Sequence, residues 1–149
     1  MQIKRETPKQ PDVIDMLAQL DAYCAALYPA ESNHLMNIDA LCAEHIVFMV
    51  ARDADSRATG CCAYVNHGAY AEVKRMFVDP AQRGEGIGIK LLGEITHHAA
   101  AAGLSCLRLE TGIHQPEAIG LYERAGFVRC APFGGYQIDP LSLFMEKTL

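Results

Sequence analysis

Arg83-Gly84-Glu85-Gly86-Ile87-Gly88 stands between two patterned segments. Before it runs the apolar stretch Tyr70–Val78 (YAEVKRMFV), closed by Asp79-Pro80; after it, Ile87, Leu91, Ile95 and Ala99 recur at helical spacing. Strand, glycine turn and amphipathic helix therefore follow one another in the order a phosphate site requires. Alternating glycines let the main chain approach a ligand with no Cβ in the way. The free N–H groups of the helix's first turn carry the positive end of its dipole into that turn. A pyrophosphate suits this arrangement, and a left-handed glycine turn without a ligand is the plain alternative. Two other nucleotide sites fit less well. Gly88-Ile89-Lys90-Leu91 does not supply the G-K-[ST] of a P-loop. The spacing Gly84-x-Gly86-x-Gly88 is not the G-x-G-x-x-G of a dinucleotide fold, and the preceding strands read as antiparallel.

Upstream of the turn, a short strand is expected over 3–6. A helix then starts at Pro11-Asp12, carries Val13, Leu17, Leu20, Cys24 and Leu27, and stops before Pro29. Residues 28–34 read as a loop, and a second short helix covers about 37–42. The strands 45–51 and 58–65 are joined by the turn chemistry of Arg52–Arg57, and Asn66-His67-Gly68 turns the chain into the strand that opened the argument. Downstream, the long helix ends near Ala102 with Gly103 as its C-cap. A strand over 104–110, a helix over 116–125 closed by Gly126, and strands over 127–130 and 141–147 follow. Helices, an antiparallel meander, then β-α-β-α-β predict an α/β fold. Its one central sheet is mixed, mostly antiparallel and flanked by helices, in a single domain over 1–149.

Bulk properties exclude several classes. Half of the 149 residues are hydrophobic and 21% are charged, the balance of an ordinary globular chain. The formal net charge of −5, with no basic run, argues against nucleic acid or an anionic membrane as partner. No apolar run approaches the roughly 20 residues of a membrane span, and Met1–Arg5 does not read as a signal peptide. The six cysteines are scattered without a C-x-x-C, and adjacent Cys61 and Cys62 would point to opposite faces of a strand. That argues against a metal site and for reduced thiols in a cytoplasmic protein. The negative charge leaves room for a cationic or amine-bearing small molecule as partner, and the sequence is compatible with a homodimer.

Met76-Phe77-Val78-Asp79-Pro80, the turn Arg83–Gly88 and Glu117-Ala118-Ile119-Gly120-Leu121-Tyr122-Glu123-Arg124-Ala125-Gly126-Phe127 together resemble the GNAT N-acetyltransferase superfamily. Arg83-x-x-Gly86-x-Gly88 is similar to that family's [QR]-x-x-G-x-[GA] pyrophosphate loop. Ala118-x-x-Leu121-Tyr122-x-x-x-Gly126-Phe127 is similar to its A-x-x-L-Y-x-x-x-G-F segment. The resemblance covers residues from about Val65 onward; the first 60 agree only in the order of elements.

That resemblance implies acetyl-CoA as co-substrate, with no metal. The main chain of Met76, Phe77 and Val78 would pair with the pantetheine arm as an added strand does. One of those N–H groups, near Met76, would hold the tetrahedral oxyanion. The N–H groups of Arg83, Gly84, Glu85, Gly86, Ile87, Gly88 and Ile89 would hold the pyrophosphate. Gln115 stands where the family often has Asn, and would touch the cofactor through a side chain with one more rotatable bond.

Acetylation of an ammonium also needs a base, and the departing thiolate needs an acid. Glu72, at the position of the glutamate in the histone-acetylating branch, is the first candidate base. It is expected to share a strand face with Lys74 and Met76. Glu110, at the position used by ribosomal-protein acetyltransferases, is its rival, and a water chain is the third option. Tyr122 is the candidate acid. Acceptor contacts are expected from Tyr28, Ser32, Asn33 and His34, from Lys74 and Arg75 (which would suit a carboxylate), and from Tyr136 and Asp139. His97 and His98 read as helix-surface residues and His114 as a loop residue. The expected activity is transfer of an acetyl group to a primary amine, of a small metabolite, by direct attack in a ternary complex. The alternatives are a non-catalytic acetyl-CoA or CoA sensor and an interaction protein with an empty glycine turn.

Overall fold

The computed structural model describes residues 1–149. The chain runs β1 (Gln2–Arg5), α1 (Pro11–Leu27), α2 (Ile38–Leu41), β2 (Ile46–Arg52), β3 (Ala58–Asn66), β4 (Ala71–Val78), α3 (Ile87–Ala101), β5 (Cys106–Gly112), α4 (Pro116–Arg124), β6 (Val128–Arg129) and β7 (Ser142–Thr148). One seven-stranded sheet has the order β1-β2-β3-β4-β5-β7-β6. The first four strands form the expected meander, β4 and β5 are parallel, and β5-β7-β6 are antiparallel.

The central strands are apolar throughout because both their faces are covered. On one face Leu91, Leu92, Ile95 and Ala99 of α3 pack with Val47, Tyr64, Val73, Leu107 and Met145. On the other, Val13, Leu17 and Leu20 of α1 and Leu41 of α2 pack with Phe48, Val50, Cys61 and Val65. Cys61 and Cys62 thus enter opposite cores, as their adjacency predicts, and all six cysteines are free thiols. Arg52 ties the end of β2 to the β1–α1 turn through Glu6 (Nη2 to Oε1, 2.8 Å) and Asp12 (Nη1 to Oδ2, 2.8 Å).

Two departures from regularity build the site. Residues 73–78 of β4 do not follow a single alternation, because the register with β3 shifts between Cys61 and Ala63, where Arg75 has φ +58°. At this β-bulge two residues oppose one and the side-chain parity inverts. Glu72 and Lys74 share the α1 face, paired with Val65 and Ala63. Arg75 also reaches α1, and Met76 packs into the α3 core. The expectation that Met76 would share the face of Glu72 is corrected by this bulge. Second, β4 and β5 pair only at Ala71–Leu107 and Glu72–Arg108, then part, while β5 stays paired with β7 as far as Gly112–Ser142. The edge of β4 beyond Glu72 is left without a strand partner on that side.

Candidate active site

The gap between the parted strands is a cavity of about 90 Å³, bordered by Met76 of β4, Glu110 and Gly112 of β5, Cys24 of α1, Gln115 and Tyr122. Because it passes through the sheet, Tyr122 from the α3 side and Glu110 from the α1 side line the same space. The glycine turn follows β4, and its Gly88 abuts Val78 at the end of that strand and Leu121 of α4. Gly84 (φ +88°) and Gly86 (φ +78°) are left-handed, a conformation that glycine adopts without strain. Gly86 then leads into α3, and its carbonyl accepts the first helical bond from Lys90 N–H at 3.2 Å. The N–H groups of Ile87, Gly88 and Ile89 precede that bond, and no side chain caps them. Gly88 is a glycine for another reason. A Cβ there would lie 2.9 Å from Leu121 Cδ2, so Gly88 lets α4 pack against α3. Arg83 and Glu85 are exposed on the turn, and Ile87 is buried in the core.

The two candidate carboxylates have different surroundings. Glu72 is 5% exposed and already engaged. Its Oε2 accepts the Tyr136 hydroxyl at 2.5 Å and faces Lys74 Nζ at 3.3 Å, and its Oε1 lies 3.0 Å from His67 Nε2. Lys74 in turn donates to the Tyr136 hydroxyl (2.6 Å) and to the His34 carbonyl (3.0 Å). Burial first, and then the bond to Glu72, hold the Tyr136 phenol above its usual range. Glu110 has one hydrogen-bond partner, Ser142 Oγ, which donates to Oε1 at 3.1 Å. Burial pushes its carboxyl above the usual range, and His34, the Ser142 hydrogen bond and Lys74 offset this only in part. Tyr122, 6% exposed on α4, is pushed well above the usual phenol range by burial.

A second cavity, of about 550 Å³, adjoins the first at His34 and is bordered by Glu31, Glu72, Tyr136, Ile138 and Asp139. It lies between the loop after α1 and the long β6–β7 connection. Ser32 Oγ donates to Asp139 Oδ2 (2.7 Å) and bridges the two segments. The Leu141 N–H and that serine keep the Asp139 carboxyl below its usual range. Tyr136, Phe133 and Phe144 form an edge-to-face aromatic cluster beneath it.

Of the expected acceptor contacts, His34, Tyr136 and Asp139 face this second cavity. Asn33 is turned inward, donating towards the carbonyls of Tyr28 (3.3 Å), Cys24 (3.5 Å) and Pro29 (3.5 Å) to close the end of α1. Lys74 and Arg75, expected to read a carboxylate, border the first cavity but are already engaged by protein partners. The Arg75 side chain is 2% exposed and paired with Asp21 at 2.5 Å, and Lys74 is held by Tyr136, His34 and Glu72. Tyr28 faces the first cavity and bonds to Gln115. Two neighbours escaped the sequence reading. His67 beside Glu72 carries no sequence signal. Gly112 carries one, since a glycine inside a strand often marks a close approach. His98 is half-buried and bonded to Tyr64 (2.8 Å), and His97 is exposed.

With this geometry in view, likeness to known proteins decides the family. The family model for the acetyltransferase (GNAT) domain matches residues 44–129, more than half of the chain. The chain belongs to the GNAT acetyltransferase family. The IAA acetyltransferase of Azospirillum brasilense is 50% identical over 149 residues, covering 99% of this chain and 97% of the relative. An N-acetyltransferase of Bacillus subtilis, YsnE, itself uncharacterized, is 36% identical over 81% of this GNAT chain and 82% of its own. The crystal structure of a protein described as an acyl-CoA N-acyltransferase from Klebsiella pneumoniae superimposes with a TM-score of 0.84. It has 36% identity and covers 99% of this chain and 97% of that one. An aminoglycoside 6'-N-acetyltransferase complexed with coenzyme A shares the fold (TM-score 0.75, 17% identity, covering 99% and 97%). The chain is therefore an acetyltransferase built on the α/β sheet that the sequence pattern predicts. No helix of this GNAT protein is long and apolar enough to cross a membrane.

Proposed function

We propose that the protein transfers the acetyl group of acetyl-CoA to a primary amine of a small metabolite, by direct attack in a ternary complex. The observation that carries this reading is the gap where β4 and β5 part. It offers an unpaired strand edge, a carboxylate and a phenol around one space, and the uncapped start of α3 abuts Val78, where that strand ends. The diphosphate would sit on the N–H groups around Gly86–Ile89, and the pantetheine would pair with the edge of Met76–Val78. The thioester then lies between Glu110 and Tyr122, with the acceptor entering from the cavity shared by His34 and Tyr136.

In this scheme Glu110 removes the proton from the ammonium, because burial makes its carboxylate more basic than an ordinary one and it lines the gap. The free amine attacks the thioester carbonyl, and a main-chain N–H near Met76 holds the oxyanion. Collapse breaks the C–S bond, Tyr122 donates its proton to the departing thiolate, and the extra proton left on nitrogen returns through water to the phenolate, giving a neutral amide and the CoA thiol. Glu72, held by Tyr136 and Lys74, shapes the acceptor side instead. The small-molecule class draws support from the Azospirillum relative, which is named for IAA.

The test is release of CoA thiol from acetyl-CoA in the presence of a panel of amines, with IAA included, together with calorimetry of CoA binding. Turnover with at least one small amine is expected. Absence of both CoA heat and thiol release would sink the reading.

A further inference from the structure

We infer that Tyr28 is a positioning residue for the acyl donor: it fixes the Gln115 side-chain amide with its NH2 group left free at the gap between β4 and β5. The inference rests on the proposed use of acetyl-CoA. Gln115 precedes the first turn of α4 but does not cap it with its side chain. Instead its Oε1 accepts two hydrogen bonds, from Gly112 N–H at 3.3 Å and from the Tyr28 hydroxyl at 3.1 Å. The same hydroxyl accepts from His114 N–H at 3.1 Å. Main-chain N–H groups can only donate, so the direction of every bond in this chain is fixed. The order is His114 N–H to the Tyr28 hydroxyl, and that hydroxyl to Gln115 Oε1, which Gly112 N–H also meets. The orientation of the amide follows without ambiguity, and Nε2 keeps two donors with no acceptor in the protein.

The place Tyr28 occupies is one that another residue at position 112 would fill. A Cβ on Gly112 would lie 1.8 Å from the Tyr28 hydroxyl and 2.0 Å from its Cζ. The ring is stacked on His114, with centroids 5.6 Å apart and planes at 18°, and Tyr28 is 7% exposed. A glycine in β5, a tyrosine just after α1 and the β5–α4 turn thus build one tie across 87 positions of sequence. All three border the gap. The ligand chemistry that matches two unpaired amide donors there is an amide carbonyl, and the pantetheine arm of an acyl-CoA carries two.

Tyr28→Phe keeps the stacked ring and removes the hydroxyl, leaving the long Gly112 N–H bond of 3.3 Å as the amide's one restraint. The CoA Kd by calorimetry and the KM for acetyl-CoA should rise about five- to tenfold, with kcat and the acceptor KM within about twofold. Gln115→Ala should give a similar rise, and the double variant should be no weaker than Gln115→Ala alone, because both act through one amide. Losses that add, a Tyr28→Phe protein with wild-type Kd, or an unchanged Gln115→Ala protein would each overturn the inference while CoA binding by the wild type stands. A wild type that gives no heat with CoA refutes the functional reading itself, and this inference with it.

Discussion

Replacing Glu110 with Gln separates chemistry from architecture at this site. The amide is close in shape to the carboxylate and can still accept the Ser142 hydroxyl, now 3.1 Å from Oε1. What it cannot do is take a proton. A positioned base contributes about 10²–10⁴-fold, which corresponds to roughly 2.7–5.5 kcal/mol of barrier. Glu72 cannot step in, because its oxygens are held by Tyr136, Lys74 and His67. The loss in kcat/KM should therefore be at least about 100-fold. In the wild type, kcat/KM falls as the pH drops through the raised Glu110 pKa, and the variant should lose that acid limb. Stability should move the other way. A carboxyl whose folded pKa lies above its unfolded value of 4.5 makes the folded state bind protons more tightly. Its stability contribution is present at low pH and is lost as the pH climbs from that value through the raised one. At neutral pH the variant, with no charge to bury, should therefore melt no lower than the wild type. Thiol-release kinetics over about pH 5 to 9 and calorimetric melting at the two ends measure both. A variant within about threefold of wild-type kcat/KM, with its acid limb unchanged, would refute the argument.

Tyr122→Phe should lower turnover about 100-fold, the size of a lost general acid, and leave CoA affinity as it was; equal turnover removes Tyr122 from the chemistry. Gly86→Ala forces a side chain into φ +78°, costing roughly 1–2 kcal/mol. It should also weaken CoA binding in calorimetry, whereas Gly103→Ala, in a left-handed cap far from the site (φ +86°), should lower the melting temperature alone. Arg52→Leu removes bonds to Glu6 and Asp12, and its cost should stay near 1–2 kcal/mol because Asp12 is 45% exposed. Arg52 holds the Glu6 and Asp12 carboxyls below their ordinary values of 4.5 and 3.8. That stability is present above those values and is lost as the pH falls through the lowered ones. The gap between wild type and variant in denaturant melts should close on acidification, and a gap independent of pH would contradict the assignment.

The parts of this molecule that were legible in its sequence are those whose determinants are neighbours in the chain. Strand, glycine turn and helix at 70–101 are written locally, in a run of β-formers, left-handed glycines and a stripe at Ile87, Leu91, Ile95 and Ala99, and the structure follows them closely. Where local pattern met long-range geometry, reading by period failed. Alternation places Glu72, Lys74 and Met76 on one face only if β4 is regular, and nothing in Val73-Lys74-Arg75-Met76 announces that Arg75 will take a positive φ. The bulge lies on β4 opposite Cys62 of β3, and it turns Arg75 to Asp21 and sends Met76 to the opposite core. The choice between the carboxylates was hidden for the same reason. Glu72 and Glu110 look alike as strand residues, and what distinguishes them arrives from Tyr136, 64 positions after the first, and from Ser142, 32 after the second. Both partners belong to the segment that inserts β7 between β5 and β6, an order that a two-residue edge strand such as β6 cannot signal. The gap itself follows from the same topology. A strand that keeps one neighbour to its end while leaving the other after two residues must open a cleft, and in this sheet the cleft lies where a carboxylate and a phenol from opposite sides of the sheet meet.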